Sequence, residues 1–300
     1  MHTRRTVLML AGVVAMLAGS PALAQDRIKV VATFSVLGDL VKNVGGDRIE
    51  VSTLVAPNSD AHVFSPTPGD AKTLATAKAV FVNGLGFEGW MARLVKASGT
   101  KAPTFVASAG IKTRTMEDDH QHGRRVTDPH AWQSIANAKV YVANIRDGLV
   151  KADPAGQSAY EANATAYLQK LDALEREVKD AIARIPADRR KIITTHDAFG
   201  YFGAAYGMEF IAPEGISTDS EPSAKDLAKI ITQVRKQKIP AVFMENITDP
   251  RLMQQIAKET GAKVGGTLHS DALSEPGGPA GSYIDMMRNN IREFSKALMS

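Results

Sequence analysis

Short β-branched apolar runs alternate with amphipathic helical patterns along this chain, and one long stripe interrupts the alternation. Before the interruption, Ile28–Val36, Val51–Val55 and Ala79–Val82 read as strands, and Leu37–Asn43, Phe87–Ala97 and Ile135–Lys151 as helices. In the stripe, Tyr160, Ala164, Tyr167, Leu171, Leu174, Val178 and Ile182 recur at steps of three and four, which is one face of an amphipathic helix. Pro154 and Pro186 bound it, so ~30 residues rising ~1.5 Å each span ~45 Å, the height of a two-lobed protein. Strands are then expected at Lys191–Thr195, Glu209–Ile211, Ala241–Met244 and Lys263–Leu268, with helices at Phe199–Tyr206, Ala224–Lys236, Pro250–Thr260 and Tyr283–Leu298. Such alternation predicts an α/β protein of mostly parallel sheets covered by helices. A long bundle helix is the competing reading of the stripe; strand patterns on both sides favour a connector. The expected division is 25–152, 153–186 for the connector, and 187–300.

The first residues look like a leader. Arg4 and Arg5 precede the apolar run Val7–Ala18 and then Ala22-Leu23-Ala24, the charged, hydrophobic and small-residue order of a secretory signal cleaved after Ala24. The run is about half the ~20 residues that span a membrane. The paired arginines also fit a twin-arginine signal, and the residues do not choose between the two export routes. Of 36 Lys+Arg, two lie in the leader, which leaves 34 against 32 Asp+Glu and argues against a nucleic-acid partner. The absence of cysteine leaves no disulfide, thiolate ligand or lipidated cysteine, and points to a freely soluble periplasmic chain.

His62, His130, His196 and Asp271 lie far apart, each in a segment that reads as a strand end or the following loop. Ligands bind beyond the carboxyl ends of parallel strands, and three imidazoles with one carboxylate would make a tetrahedral N3O cage for a divalent metal. A lone histidine is more often a surface or core residue, so the flanking residues decide. Pro57-Asn58-Ser59-Asp60-Ala61-His62-Val63-Phe64-Ser65-Pro66-Thr67-Pro68, Asp128-Pro129-His130-Ala131-Trp132, Thr195-His196-Asp197-Ala198-Phe199-Gly200-Tyr201-Phe202 and His269-Ser270-Asp271-Ala272-Leu273 resemble, in order, the four ligand segments of the cluster A-I metal-binding proteins of ABC transporters. The first departs from the usual form, with Ala61 for a proline and Val63 and Ser65 for acids. The resemblance covers the whole mature chain.

It implies two Rossmann-like α/β lobes joined by one long rigid helix, with one ion per chain held between them by His62 and His130 from one lobe and His196 and Asp271 from the other. It also implies a non-enzymatic carrier, monomeric, that hands the ion to an ABC permease in the inner membrane. Whether a periplasmic metallochaperone loads it is left open. Three imidazoles and one carboxylate suit Zn2+, with Mn2+ as the alternative. Glu245 and Asp197 are expected to orient imidazoles, His269 to line the rim, and His120 and His122 to form either a capture loop or a solvated one. A zinc hydrolase is the distant rival, disfavoured because no His-Glu-x-x-His pair occurs and Asp271 would fill the position of a catalytic water.

Overall fold

The computed structural model describes residues 27–117, 125–219 and 222–299. The leader, the loop carrying His120 and His122, and Glu221 lie outside the described residues. The first sheet is parallel, in the order β2-β1-β3-β4, from β1 (Ile28–Phe34), β2 (Ile49–Val55), β3 (Ala79–Val82) and β4 (Thr104–Val106). Helices α1 (Ser35–Gly45), α2 (Pro68–Ala75) and α3 (Met91–Ser98) make its crossovers. An antiparallel pair, β5 (Thr115–Glu117) with β6 (Arg125–Thr127), then leads to α4 (Ile135–Ala152) and the 27-residue α5 (Gln157–Ala183).

The second sheet is also parallel, in the order β10-β9-β7-β8. Its strands β7 (Lys191–Ile193), β8 (Glu209–Ile211), β9 (Ala241–Glu245) and β10 (Lys263–Leu268) alternate with α6 (Gly200–Tyr206), α7 (Ala224–Gln237) and α8 (Arg251–Thr260), and α9 (Tyr283–Leu298) closes the chain. Both sheets reverse strand order beside their first strand, which opens a crevice at the carboxyl ends of β1/β3 and of β7/β9.

All seven stripe residues of α5 are buried, and the helix packs on α1 and α4 of one lobe and on α6 and α9 of the other. One apolar core runs from β1 through α4 and α5 to β9 and α9, while a smaller cluster of Ile193, Ile231, Val234, Val242, Met253 and Ile256 lies between the second sheet and α7 and α8. Helix α3 starts four residues later than its pattern suggests because Gly84, Leu85 and Gly86 all have positive φ and turn the chain before it. Helix α2 escapes periodicity because Leu74 is its one buried residue; its start is written instead in the Thr67–Asp70 capping box. The three-residue strands β4, β5 and β6 are too short to show alternation.

Candidate metal centre

His62, His130, His196 and Asp271 converge so that one donor atom of each lies within 4.8 Å of every other. His62 follows β2 by one loop, His130 follows β6, His196 follows β7 and Asp271 follows β10. Asp271 Oδ2 lies 3.1 Å from both His62 Nε2 and His196 Nε2 and 3.6 Å from His130 Nε2, and the Nε2 atoms of His62 and His130 are 3.2 Å apart. Ligand bonds of ~2.0 Å in a tetrahedron place donors about 3.3 Å apart, so the set fits one divalent ion. Three of the four side chains are fully buried and that of His62 is 5% exposed. Phe87 and Trp132 wall the imidazoles, with Phe87 4.8 Å from the His62 ring and Trp132 5.4 Å from the His130 ring.

Each histidine is held from behind. Asp60 and Asp128 sit two residues before His62 and His130, and each accepts the backbone N–H of its histidine, at 2.8 and 3.0 Å, in an Asx turn. Asp128 Oδ1 also lies 2.9 Å from His130 Nδ1, leaving Nε2 to face the cluster. On His196, Glu245 Oε1 accepts the backbone N–H at 2.9 Å and Oε2 approaches Nδ1 to 2.6 Å, outside hydrogen-bond alignment. Glu245 ends β9 beside β7, so this pair occupies the crevice of the second sheet.

One expectation needs correction, that for His269. His269 is 4% exposed and does not line a rim: its Nδ1 meets Asn289 of α9 at 3.3 Å, and burial lowers its pKa to about 4. Glu245 and the cluster face the two ring nitrogens of His196, and the Asp197 backbone N–H donates to the Gly215 carbonyl. The segment Ser270–Gly281 is buried through Ser274, and its exposure is confined to residues 275–279 and 281. The orienting carboxylate Asp128 was not foreseen; the repeated Asp-x-His spacing was its signal.

Without an ion, protons balance the cluster. Burial works against charge on His130, yet the nearby carboxylates Asp271 and Asp128 outweigh it and raise the imidazole to about 9. His196 is likewise raised well above the usual range by Glu245 and Asp271 despite its burial. His62 is lowered, because burial outweighs the pull of Asp271 and two other histidines adjoin it. Burial favours the neutral form of Asp271, but His130 and His196 hold it far below the ordinary carboxylate range. A divalent ion replacing the protons of His130 and His196 would leave the buried charge unchanged.

Two parallel-sheet lobes with a buried N3O cage between them define a solute-binding protein whose cargo is a divalent metal ion. The chain belongs to the ZnuA family, zinc-uptake complex component A, periplasmic, which it matches over residues 30–297. It is 33% identical over 273 residues to the manganese-binding lipoprotein MntA of Halalkalibacterium halodurans, covering 91% of this chain and 89% of the relative. It is 32% identical over 277 residues to the iron-binding protein YfeA of Yersinia pestis, covering 92% and 88%. Among solved structures, the periplasmic zinc-binding protein TroA of Treponema pallidum superposes with a TM-score of 0.84 at 29% identity, over 91% of this chain and 99% of that one. The chain is therefore the metal-binding component of an ABC transporter and not an enzyme.

Proposed function

We propose that this protein captures one Zn2+ per chain in the periplasm through His62, His130, His196 and Asp271 and delivers it to an inner-membrane ABC permease. The observation that carries the reading is the donor set: three imidazole nitrogens and one carboxylate oxygen at tetrahedral spacing, an arrangement that zinc accepts without further ligands. The reading takes the mature chain to start at Gln25, after cleavage behind Ala24, and the protein to act as a monomer. It also takes 25–152 and 187–300 as the lobes and 153–186 as the connector between them.

Mn2+ is the second reading. It is favoured by Asp271 Oδ1, which is buried and lacks a hydrogen-bond partner, because a second carboxylate oxygen would suit a harder ion of higher coordination number. Metal analysis of protein purified from its native periplasm, followed by competition titration against a chelator, separates the two. One equivalent of zinc, retained against equal manganese, supports the first reading; manganese in the native protein, retained against equal zinc, overturns it.

A further inference from the structure

The four donors do not hang on four independent loops. Trp132 and Gln133 lie two and three residues after His130, and both reach across the cleft to one atom: Trp132 Nε1 donates to the Ser270 carbonyl at 2.9 Å and Gln133 Nε2 donates to the same oxygen at 2.6 Å. All three residues are fully buried. A carbonyl oxygen has two lone pairs, so this one is saturated and the plane of the Ser270–Asp271 peptide is fixed by the other lobe. Beyond Asp271 the chain is held again, since Asn246 donates to the Ala272 carbonyl at 3.1 Å and the Leu273 N–H donates to Ser35 Oγ at 2.9 Å.

We propose that Gln133, with Trp132, is the positioning residue for Asp271: the paired donors aim Oδ2 alone at the three imidazoles and thereby set the preference of the centre for a four-coordinate ion. This rests on the reading that the four residues hold the cargo. The segment that supplies one ligand grips the peptide that supplies another, so the His130–Asp271 edge of the cage, 3.6 Å between Nε2 and Oδ2, is tied by hydrogen bonds that do not depend on the ion. Asp271 Oδ1 faces no hydrogen-bond partner. With the peptide released, the carboxylate turns and presents both oxygens, which moves the centre from four donors with one oxygen toward the oxygen-richer environment that manganese prefers.

The test compares Gln133→Met, Trp132→Phe and the double variant with the parent protein. Each is read by zinc and manganese affinity and by the visible ligand-field spectrum of the Co2+-loaded protein. Tyr206→Phe serves as a control, because it removes another buried contact between the lobes, from the Ile135 N–H to the Tyr206 hydroxyl at 3.1 Å. One donor suffices to hold the carbonyl, so each single variant loses less than the double. The double variant is expected to lose about 10- to 100-fold in zinc affinity, the usual effect of removing a partner behind a ligand. It should also narrow the ratio of zinc to manganese affinity and shift the Co2+ bands, while Tyr206→Phe changes melting alone. A double variant with the parent's ratio and Co2+ spectrum overturns the positioning role, as does a Co2+ shift of equal size in Tyr206→Phe. If the parent protein binds no ion, or His130→Ala leaves its affinity intact, it is the assignment of the cargo site that has failed.

Discussion

Asp60 joins the two lobes at the mouth of the cleft: its Oδ2 accepts the Thr218 hydroxyl from the second lobe, while its Oδ1 holds the backbone N–H of His62. His62 is the one donor of the four with any exposure, and Val63 beside it is 54% exposed. The other three are fully buried, so an ion reaches the cage past the His62 loop. Replacing Thr218 by Val removes the contact without adding volume. It is expected to raise both association and dissociation rates several-fold and to leave the dissociation constant within about threefold; stopped-flow exchange with a chromophoric chelator measures both. Unchanged rates would place the path elsewhere.

Loss of a donor should exceed loss of a partner behind it. Replacing His196 or Asp271 by Ala is expected to cost more than the ~10- to 100-fold that Glu245→Gln costs, because Glu245 touches the cluster only by way of His196, at its backbone N–H and its ring. His120→Ala and His122→Ala should leave affinity unchanged. Competition titration gives all five values, and equal losses across them would mean that the site is misassigned.

Binding should expel protons. His130, raised to about 9, and His196, raised well above the usual range, both carry protons at neutral pH in the ion-free protein, whereas His62 is lowered and stands ready as a neutral donor. Affinity is therefore expected to climb from pH 6 to about 9, with about two protons released per ion at pH 7. Titration calorimetry in buffers of different ionisation enthalpy counts them, and a count of zero would contradict the charge balance.

The same shifts fix how stability varies with pH. For His130 and His196 the folded pKa lies above the unfolded value of ~6.5, so their contribution to the ion-free fold is complete below ~6.5; that of His130 is lost as pH rises through about 9, and that of His196 as pH rises through its own raised value. The rise in melting temperature on adding zinc should accordingly be larger at pH 9 than at pH 6. Calorimetric scans with and without metal at the two pH values test the sign.

Lobe rotation should be small. Helix α5 packs on both lobes, and Tyr283 adds two links across them, its N–H to Asp39 at 2.9 Å and its hydroxyl to the Trp132 carbonyl at 2.7 Å. Solution scattering curves with and without zinc should nearly coincide, with altered hydrogen exchange concentrated in the loops around His62 and Thr218. A change that requires rigid-body opening would overturn this.

Much of this architecture is legible in the residues because burial leaves periodic marks. The α5 stripe names all seven of its buried residues, and Ala79–Val82, Glu209–Ile211 and Lys263–Leu268 are strands with the bounds their patterns give. Convergence of the four donors was legible only through the resemblance of their flanks, since spacings of 68, 66 and 75 residues carry no geometry. What escaped is what depends on neighbours from elsewhere in the chain. His269 reads as a rim residue from its place two before Asp271, but Asn289 and Asn290 of α9 enclose it. That Glu245 lies against His196 depends on β9 pairing with β7, which nothing in the residues around His196 signals.

The unbroken apolar core sets when this polypeptide can fold. Helix α9 supplies Tyr283, Met286, Met287, Ile291, Phe294 and Leu298 to a core that begins at β1, and it packs on α1, α5 and β10 at once. Until those sixteen residues are in place, the faces they cover stay open and the first lobe has no finished interior. The first lobe therefore cannot close on its own residues alone: its interior is completed by a helix about 250 positions further along the chain, and whatever loosens α9 exposes the faces of α1 and α5 as well.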